Sequence, residues 1–175
     1  MKAAPEAQRR LLDLQAVDTA VAQLQHRRRQ LPEHSKIAAA QAERTSLGEQ
    51  ITASRTRIYD LEQEQAKSEA DLAPVRERRV RDQHRVDSGQ ITDPKQLRAL
   101  LDEIAHLGRR ISDLEDAELE LMERLEASQA ELEELTERRG AGDDVLRGLI
   151  AARDAQLYEI DAELVRIGHT LAPLD

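Results

Sequence analysis

Between Leu97 and Leu135 apolar residues recur at alternating steps of three and four. The set is Leu97, Leu100, Ile104, Leu107, Ile111, Leu114, Leu121, Leu125, Leu132 and Leu135, interrupted only by Glu118 and Ser128. A stripe this narrow, two positions in seven, is a coiled-coil seam, and it has to be covered by another helix. The helix carrying it has a defined start. Thr92 or Asp93 can accept from the first free N–H groups, and Pro94 suits the first helical position, where its missing N–H costs nothing.

A covering helix lies upstream in the same chain. From Ile37 to Val86 the 3/4 frame holds without slippage, with nine of its fifteen slots apolar, so this is the weaker half of the seam. Arg44 and Arg79 occupy two of its slots, and Pro74 lies inside it and is expected to bend it locally. Between the two stripes, near the chain's midpoint, comes Asp87-Ser88-Gly89-Gln90-Ile91-Thr92-Asp93-Pro94, the strongest turn signal present. A reversal there folds the halves together. The expected fold is all-α: a long kinked antiparallel two-helix coiled-coil hairpin with its tip at 88–93.

Irregularities near both ends predict the kink. The first arm, about 5–87, opens at Pro5 and carries Leu14, Val17, Val21, Leu24 and Leu31, with Arg10 and Arg28 in seam slots. Pro32 then interrupts, with His34 or Ser35 as candidate caps, and the seam resumes at Ile37, one residue early. The second arm, about 94–171, contains Arg139-Gly140-Ala141-Gly142, and its seam resumes through Leu146, Ile150, Arg153, Leu157, Ile160, Leu164, Ile167 and Leu171. A break near 32 facing a bend near 140–142 predicts two coiled segments in a rod on the order of 120 Å long, at about 1.5 Å per residue. A compact four-helix bundle is the competing architecture. It needs a broader apolar face than these helices offer. A parallel dimer of one continuous helix is opposed by Ser88-Gly89 and Pro94.

Composition agrees with thin helices. Aromatics are 1% and charged residues 35% of the 175 residues, too few large rings for a globular core of that size. The net charge of −9 opposes polyanion binding by the whole surface, and with no cysteine there is neither a disulfide nor a thiolate metal site. No stretch approaches the roughly 20 apolar residues of a membrane span, and the N-terminus has no long apolar run. The expectation is a soluble, cytoplasmic protein. It is also expected to be no enzyme and to hold no metal or cofactor in this chain. His26, His34, His84, His106 and His169 are scattered without metal-ligand spacing, there is no Gly-rich phosphate loop, and a two-helix hairpin offers no pocket to split carboxylate pKa values.

Two features are candidates for function. The first is charge segregation. Arg76, Arg78, Arg79, Arg81, Arg85, Lys95, Arg98, Arg109 and Arg110 make the tip half basic, nine cations against six acids between Val75 and Ile111. Residues 112–140 hold eleven acids against three arginines. Such charges can solvate the rod and set the antiparallel pairing. They can equally form a basic surface for an acidic protein or a nucleic-acid backbone. The second is the tip, Ser88, Gly89, Gln90, Ile91, Thr92, Asp93, Pro94 and Lys95. It reads as a plain turn or as a presented contact loop with apolar Ile91 exposed. Without aromatics to stack bases, sequence-specific RNA reading by the hairpin is not expected.

The second arm resembles a bacterial family built from a long N-terminal coiled-coil hairpin and a C-terminal four-cysteine zinc ribbon. The resemblance rests on Asp93-Pro94-Lys95-Gln96-Leu97, on Leu100 and Glu103-Ile104, on Ile111-Ser112-Asp113-Leu114-Glu115-Asp116, and on Glu120-Leu121-Met122-Glu123. It is specific over about 90–125 and general elsewhere. Chlamydial and Helicobacter members are described as binding sigma-54 and flagellar components, and the Arg- and Ala-rich composition fits a high-GC bacterium such as an actinobacterium. The resemblance implies a zinc ribbon, and hence zinc, in a full-length protein. Here the sequence closes on Ala172-Pro173-Leu174-Asp175 without a cysteine, and the expectation is that the ribbon follows after 175. The functional expectation is an adaptor or chaperone-like protein that binds a protein partner, a sigma factor or export component, through the arm or tip. The alternatives are a nucleic-acid-binding protein assisted by the basic half, and a structural spacer or self-assembling rod. Periodicity leaves the oligomeric state open.

Overall fold

The computed structural model describes residues 4–171. They form three helices, α1 (Pro5–Arg29), α2 (Pro32–Asp87) and α3 (Pro94–Leu171), with no strand among the described residues. The chain divides into two compact units, one of residues 48–137 and one combining residues up to Leu47 with those from Arg138 onward.

In the 48–137 unit the last part of α2 runs antiparallel to the first part of α3. Ion pairs show the direction: Arg57–Glu131 at 2.5 Å, Arg76–Glu115 at 2.5 Å and Arg78–Glu103 at 2.8 Å, the partner's number falling as the α2 number rises. Ile51, Leu61 and Leu72 from α2 are buried, as are Ile104, Leu107, Ile111 and Leu135 from α3. Each sits on the 3/4 frame, and each buried aliphatic contributes about 1.5–3 kcal/mol relative to exposure. Lettering each heptad a–g from Ile37 and Leu97 as a positions makes the pairing rule explicit. Arg57, Glu64 and Arg78 at g meet Glu131, Arg124 and Glu103 at g, and Arg76 at e meets Glu115 at e. Like letters meet because the helices run in opposite directions; parallel helices pair e with g.

In the other unit Leu31, Ile37 and Leu47 are buried, with Leu146 and Ile160 from α3. Arg28–Asp161, set against Glu43–Arg138 and Arg44–Asp143, gives the same antiparallel direction. α1 holds no fully buried residue; Val17, Val21 and Leu24 are half-buried. Leu14, expected on the seam, is exposed. α1 ends at Arg29, and α2 begins at Pro32. Neither expected cap acts as one: the Ser35 hydroxyl donates to the Pro32 carbonyl oxygen, and the His34 ring reaches back to Arg28.

α3 runs unbroken through Arg139-Gly140-Ala141-Gly142, the stretch where a bend is expected. Arg139 and Gly142, both half-buried, fill the slots between buried Leu135 and buried Leu146, so the frame does not slip there. The extra residue enters one turn later, between Leu146 and half-buried Ile150. Two glycines cost a helix interior about 1 kcal/mol each relative to alanine. A helix fixed on both sides by packed leucines absorbs that.

Candidate partner-binding site

The tip is a short irregular link. Ser88 and Gly89 close α2, their N–H groups donating to the His84 and Val86 carbonyl oxygens at 3.0 and 3.1 Å. Gly89 takes φ 66°, a left-handed conformation that ends helices and suits a residue without Cβ. Of the two candidate caps for α3, Asp93 is the one that acts. Its Oδ1 accepts from the Lys95 N–H at 3.1 Å, and its carbonyl oxygen accepts the first helical bond, from Leu97, at 3.0 Å. Ser88, Gly89, Gln90, Thr92, Asp93, Pro94 and Lys95 are exposed. Ile91 is not the free contact point that its place in a turn suggests. It is half-buried, lining a shallow depression with Arg78, Arg85, Gln96 and Leu100, because the loop folds its one apolar side chain back against the seam.

The nine basic residues separate into two classes. Arg76 is paired with Glu115, Arg78 with Glu103, Arg81 with Glu77 and Arg85 with Asp82. Asp82 occupies a d slot of the seam with its side chain only 13% exposed, and Arg78 and Arg85 flank it at 3.8 and 3.6 Å. Those two arginines are therefore engaged in holding a carboxylate that the seam has half-buried. The other five, Arg79, Lys95, Arg98, Arg109 and Arg110, are exposed and make no ion pair. Lys95 and Arg109 share the outward f position of α3, with Arg110 beside Arg109. Arg98, at b, faces the same flank as the e positions. Arg79 fills a seam slot and still reaches solvent, because glycine stands beside it on α3: its Nε lies 3.9 Å from where a Cβ on Gly108 would be.

Along the e flank an open groove of about 590 Å³ is lined by Arg76, Arg79, Val80, Gln83, His84 and Ile111 among others. The apolar residues standing outside the seam on this side escaped the sequence reading. Lettering the heptads would have found them, since Val80, Leu101 and Met122 sit at b and e.

Among the described residues no three His, Asp or Glu side chains cluster to hold a metal ion, and none of the helices is long and apolar enough to cross a membrane. With no cysteine, the residues of this chain do not fit a four-cysteine zinc site. The five histidines stand exposed along all three helices.

Residues 14–172 match the model of the CT398-like coiled coil hairpin domain. The chain belongs to that family. An uncharacterized protein of Mycobacterium tuberculosis, found in strains H37Rv and CDC 1551, is 36% identical over 169 residues, covering 97% of this chain and 67% of the relative. A solved structure from Mycobacterium smegmatis is similar with a TM-score of 0.75 and 32% identity, over 97% of this chain and 70% of that one. The hairpin domain thus accounts for nearly the whole chain, while about a third of each relative lies outside the match.

Proposed function

We propose that this hairpin is a non-enzymatic adaptor of the cytoplasm. It binds an acidic segment of a protein partner on the outer face of the first turns of α3, next to the tip. The observation carrying this reading is the division of the basic residues. Arg76, Arg78, Arg81 and Arg85 are ion-paired within the chain, whereas Lys95 and Arg109 at f and Arg110 at the adjoining g are exposed and make no ion pair. Register-setting charges find partners along the coil, as the g–g pairs do. Cations left over at the end of a stiff arm are available to another molecule. The family resemblance directs the choice of partner to test, a sigma factor of the sigma-54 class or an export component.

The test is titration of the full chain against the sigma-54-type factor of the same bacterium, by fluorescence anisotropy. Charge reversal at Lys95, Arg109 and Arg110 together should weaken binding at least tenfold, and Arg78→Glu much less. Equal loss from both would remove the outer face from the mechanism. The same unpaired cations favour a second reading, contact with a nucleic-acid backbone. Three phosphates neutralised would give a log–log salt slope of about −2.7 on duplex DNA. No binding to DNA or RNA at low salt dismisses that reading and leaves the first standing.

A further inference from the structure

We infer that two copies of this chain pair side by side, antiparallel, through one flank of the 48–137 unit. The inference goes beyond the adaptor reading and rests on different residues. Within this unit the exposed large apolar side chains are Tyr59, Val80, Leu101, Leu119 and Met122, between 41% and 68% exposed. All five fall on b or e positions, which share one flank because they are three or four residues apart. The opposite flank carries the three g–g ion pairs, Arg57–Glu131, Glu64–Arg124 and Arg78–Glu103. A two-stranded coil needs only a and d apolar. Extending the apolar surface onto b and e on one side of both helices is the pattern of helices that take a further neighbour.

The charges on that flank specify what the neighbour is. Its tip end carries Arg79 and Arg98, neither ion-paired, with Asp87 beyond them; its middle holds the Arg76–Glu115 pair; and its far end carries Glu62, Glu69, Glu126 and Glu133, also unpaired, with Arg55 beyond Glu62. The level of each α2 residue on α3 follows from the four cross-helix pairs Arg57–Glu131, Glu64–Arg124, Arg76–Glu115 and Arg78–Glu103 taken together. A two-fold axis crossing the flank beside Ala73 and Glu115 brings Val80 and Leu101 of one copy to the level of Met122 and Tyr59 of the other. It also lays α2 on α2, setting Arg79 between Glu62 and Glu69 of the second copy. With α3 on α3, Arg98 falls between Glu126 and Glu133. Such a face is complementary to itself, which is the requirement for an isologous dimer. Parallel stacking would instead set cation on cation and acid on acid. The apolar stripe is about 40 Å long at about 1.5 Å per residue. With two helices abreast it buries on the order of 600–800 Å² per copy, close to the ~800 Å² per partner of stable complexes.

Sedimentation equilibrium of the full chain tests this, with a monomer mass of 19.8 kDa as reference. The expected result is twice that mass in the micromolar range. Leu119→Lys with Met122→Lys should raise the dissociation constant at least tenfold without changing helical circular dichroism, since neither side chain is in the seam. Arg98→Glu should weaken the dimer, and adding Glu126→Arg and Glu133→Arg should recover it. Because the chain lacks cysteine, single cysteines report the axis directly. Ser112→Cys, beside the axis, should cross-link to itself with a short bismaleimide, and Leu101→Cys should not. A monomer mass up to 100 µM, a dimer indifferent to the Leu119 and Met122 changes, or self-cross-linking at Leu101 alone would each overturn the inference. Lys95, Arg109 and Arg110, which test the adaptor reading, lie off this flank, so the two can fail separately.

Discussion

The Nε2 atom of His34 stands 3.2 Å from the carbonyl oxygen of Arg28, across the break between α1 and α2. A carbonyl only accepts, so Nε2 carries the proton and donates. In an unbroken helix that carbonyl would receive the N–H of the residue four positions on. That residue is Pro32, which has none. The imidazole therefore supplies the donor that proline removed.

This relationship predicts a specific non-additivity. His34→Ala should cost about 0.5–1 kcal/mol, the net value of one hydrogen bond. In a Pro32→Ala background the backbone N–H is restored, and the same change should cost almost nothing. Urea unfolding of the four proteins in a double-mutant cycle measures the difference. An identical cost in both backgrounds would show that His34 does not serve the orphaned carbonyl.

Ser54 and Ser128 replace the expected leucine at two d slots, and both are buried, at 1% and 6% exposure. The Ser54 hydroxyl donates to the Ser128 carbonyl oxygen over a long 3.4 Å. Small side chains here let the two helices approach, so regularising the seam is harmful. Ser54→Leu should destabilise by about 1–3 kcal/mol through overpacking. Ser54→Ala, which removes only a weak bond, should cost under about 1 kcal/mol. Thermal unfolding ranks them, and a stabilised Ser54→Leu would mean the slot has unused space.

How much of this was legible depends on which physical rule governs each element. The seam, the turn at Ser88-Gly89 and the start at Pro94 could be read because periodicity, a φ-permissive residue and a missing donor act locally. That α3 stays helical through Gly140 and Gly142 rests on packing, which there outweighs propensity, and the frame position of Arg139 hints at it. The basic tip half was visible as composition. Which of its cations are spent was not, because that depends on partners such as Glu103 and Glu115, brought close only by the fold. The half-burial of Ile91 is hidden from the sequence for the same reason: a loop residue's exposure is set by what lies beneath it.

The g–g pairs should choose orientation more than they hold the helices together. Arg57 and Glu131 are each about half exposed, at 53% and 48%, which limits their coupling to about 0.2–1 kcal/mol at low salt. Arg57→Glu should destabilise by placing two carboxylates together, and Glu131→Arg added to it should restore stability. The effect should shrink in 1 M salt, where screening reaches a few Å. Failure of the double reversal to recover would show that the packing of the arginine stem, and not its charge, is what matters.

Glycine substitutions separate helix from hinge. A Cβ on Gly140 or Gly148 meets nothing within 4 Å, and both lie inside α3. Alanine at either should therefore stabilise by about 1 kcal/mol through helix propensity and reduced freedom of the unfolded chain. For a chain of this size that is about 2–4 °C in Tm. Gly89 also has open space around it but sits at φ 66°, where a Cβ is disfavoured by about 1–2 kcal/mol. Gly89→Ala should accordingly lower Tm by a similar amount. The three proteins share one chemical change and differ only in backbone conformation, so the contrast isolates it. Were residues 140–142 a flexing joint rather than continuous helix, Gly140→Ala would lose its advantage while Gly148→Ala kept it.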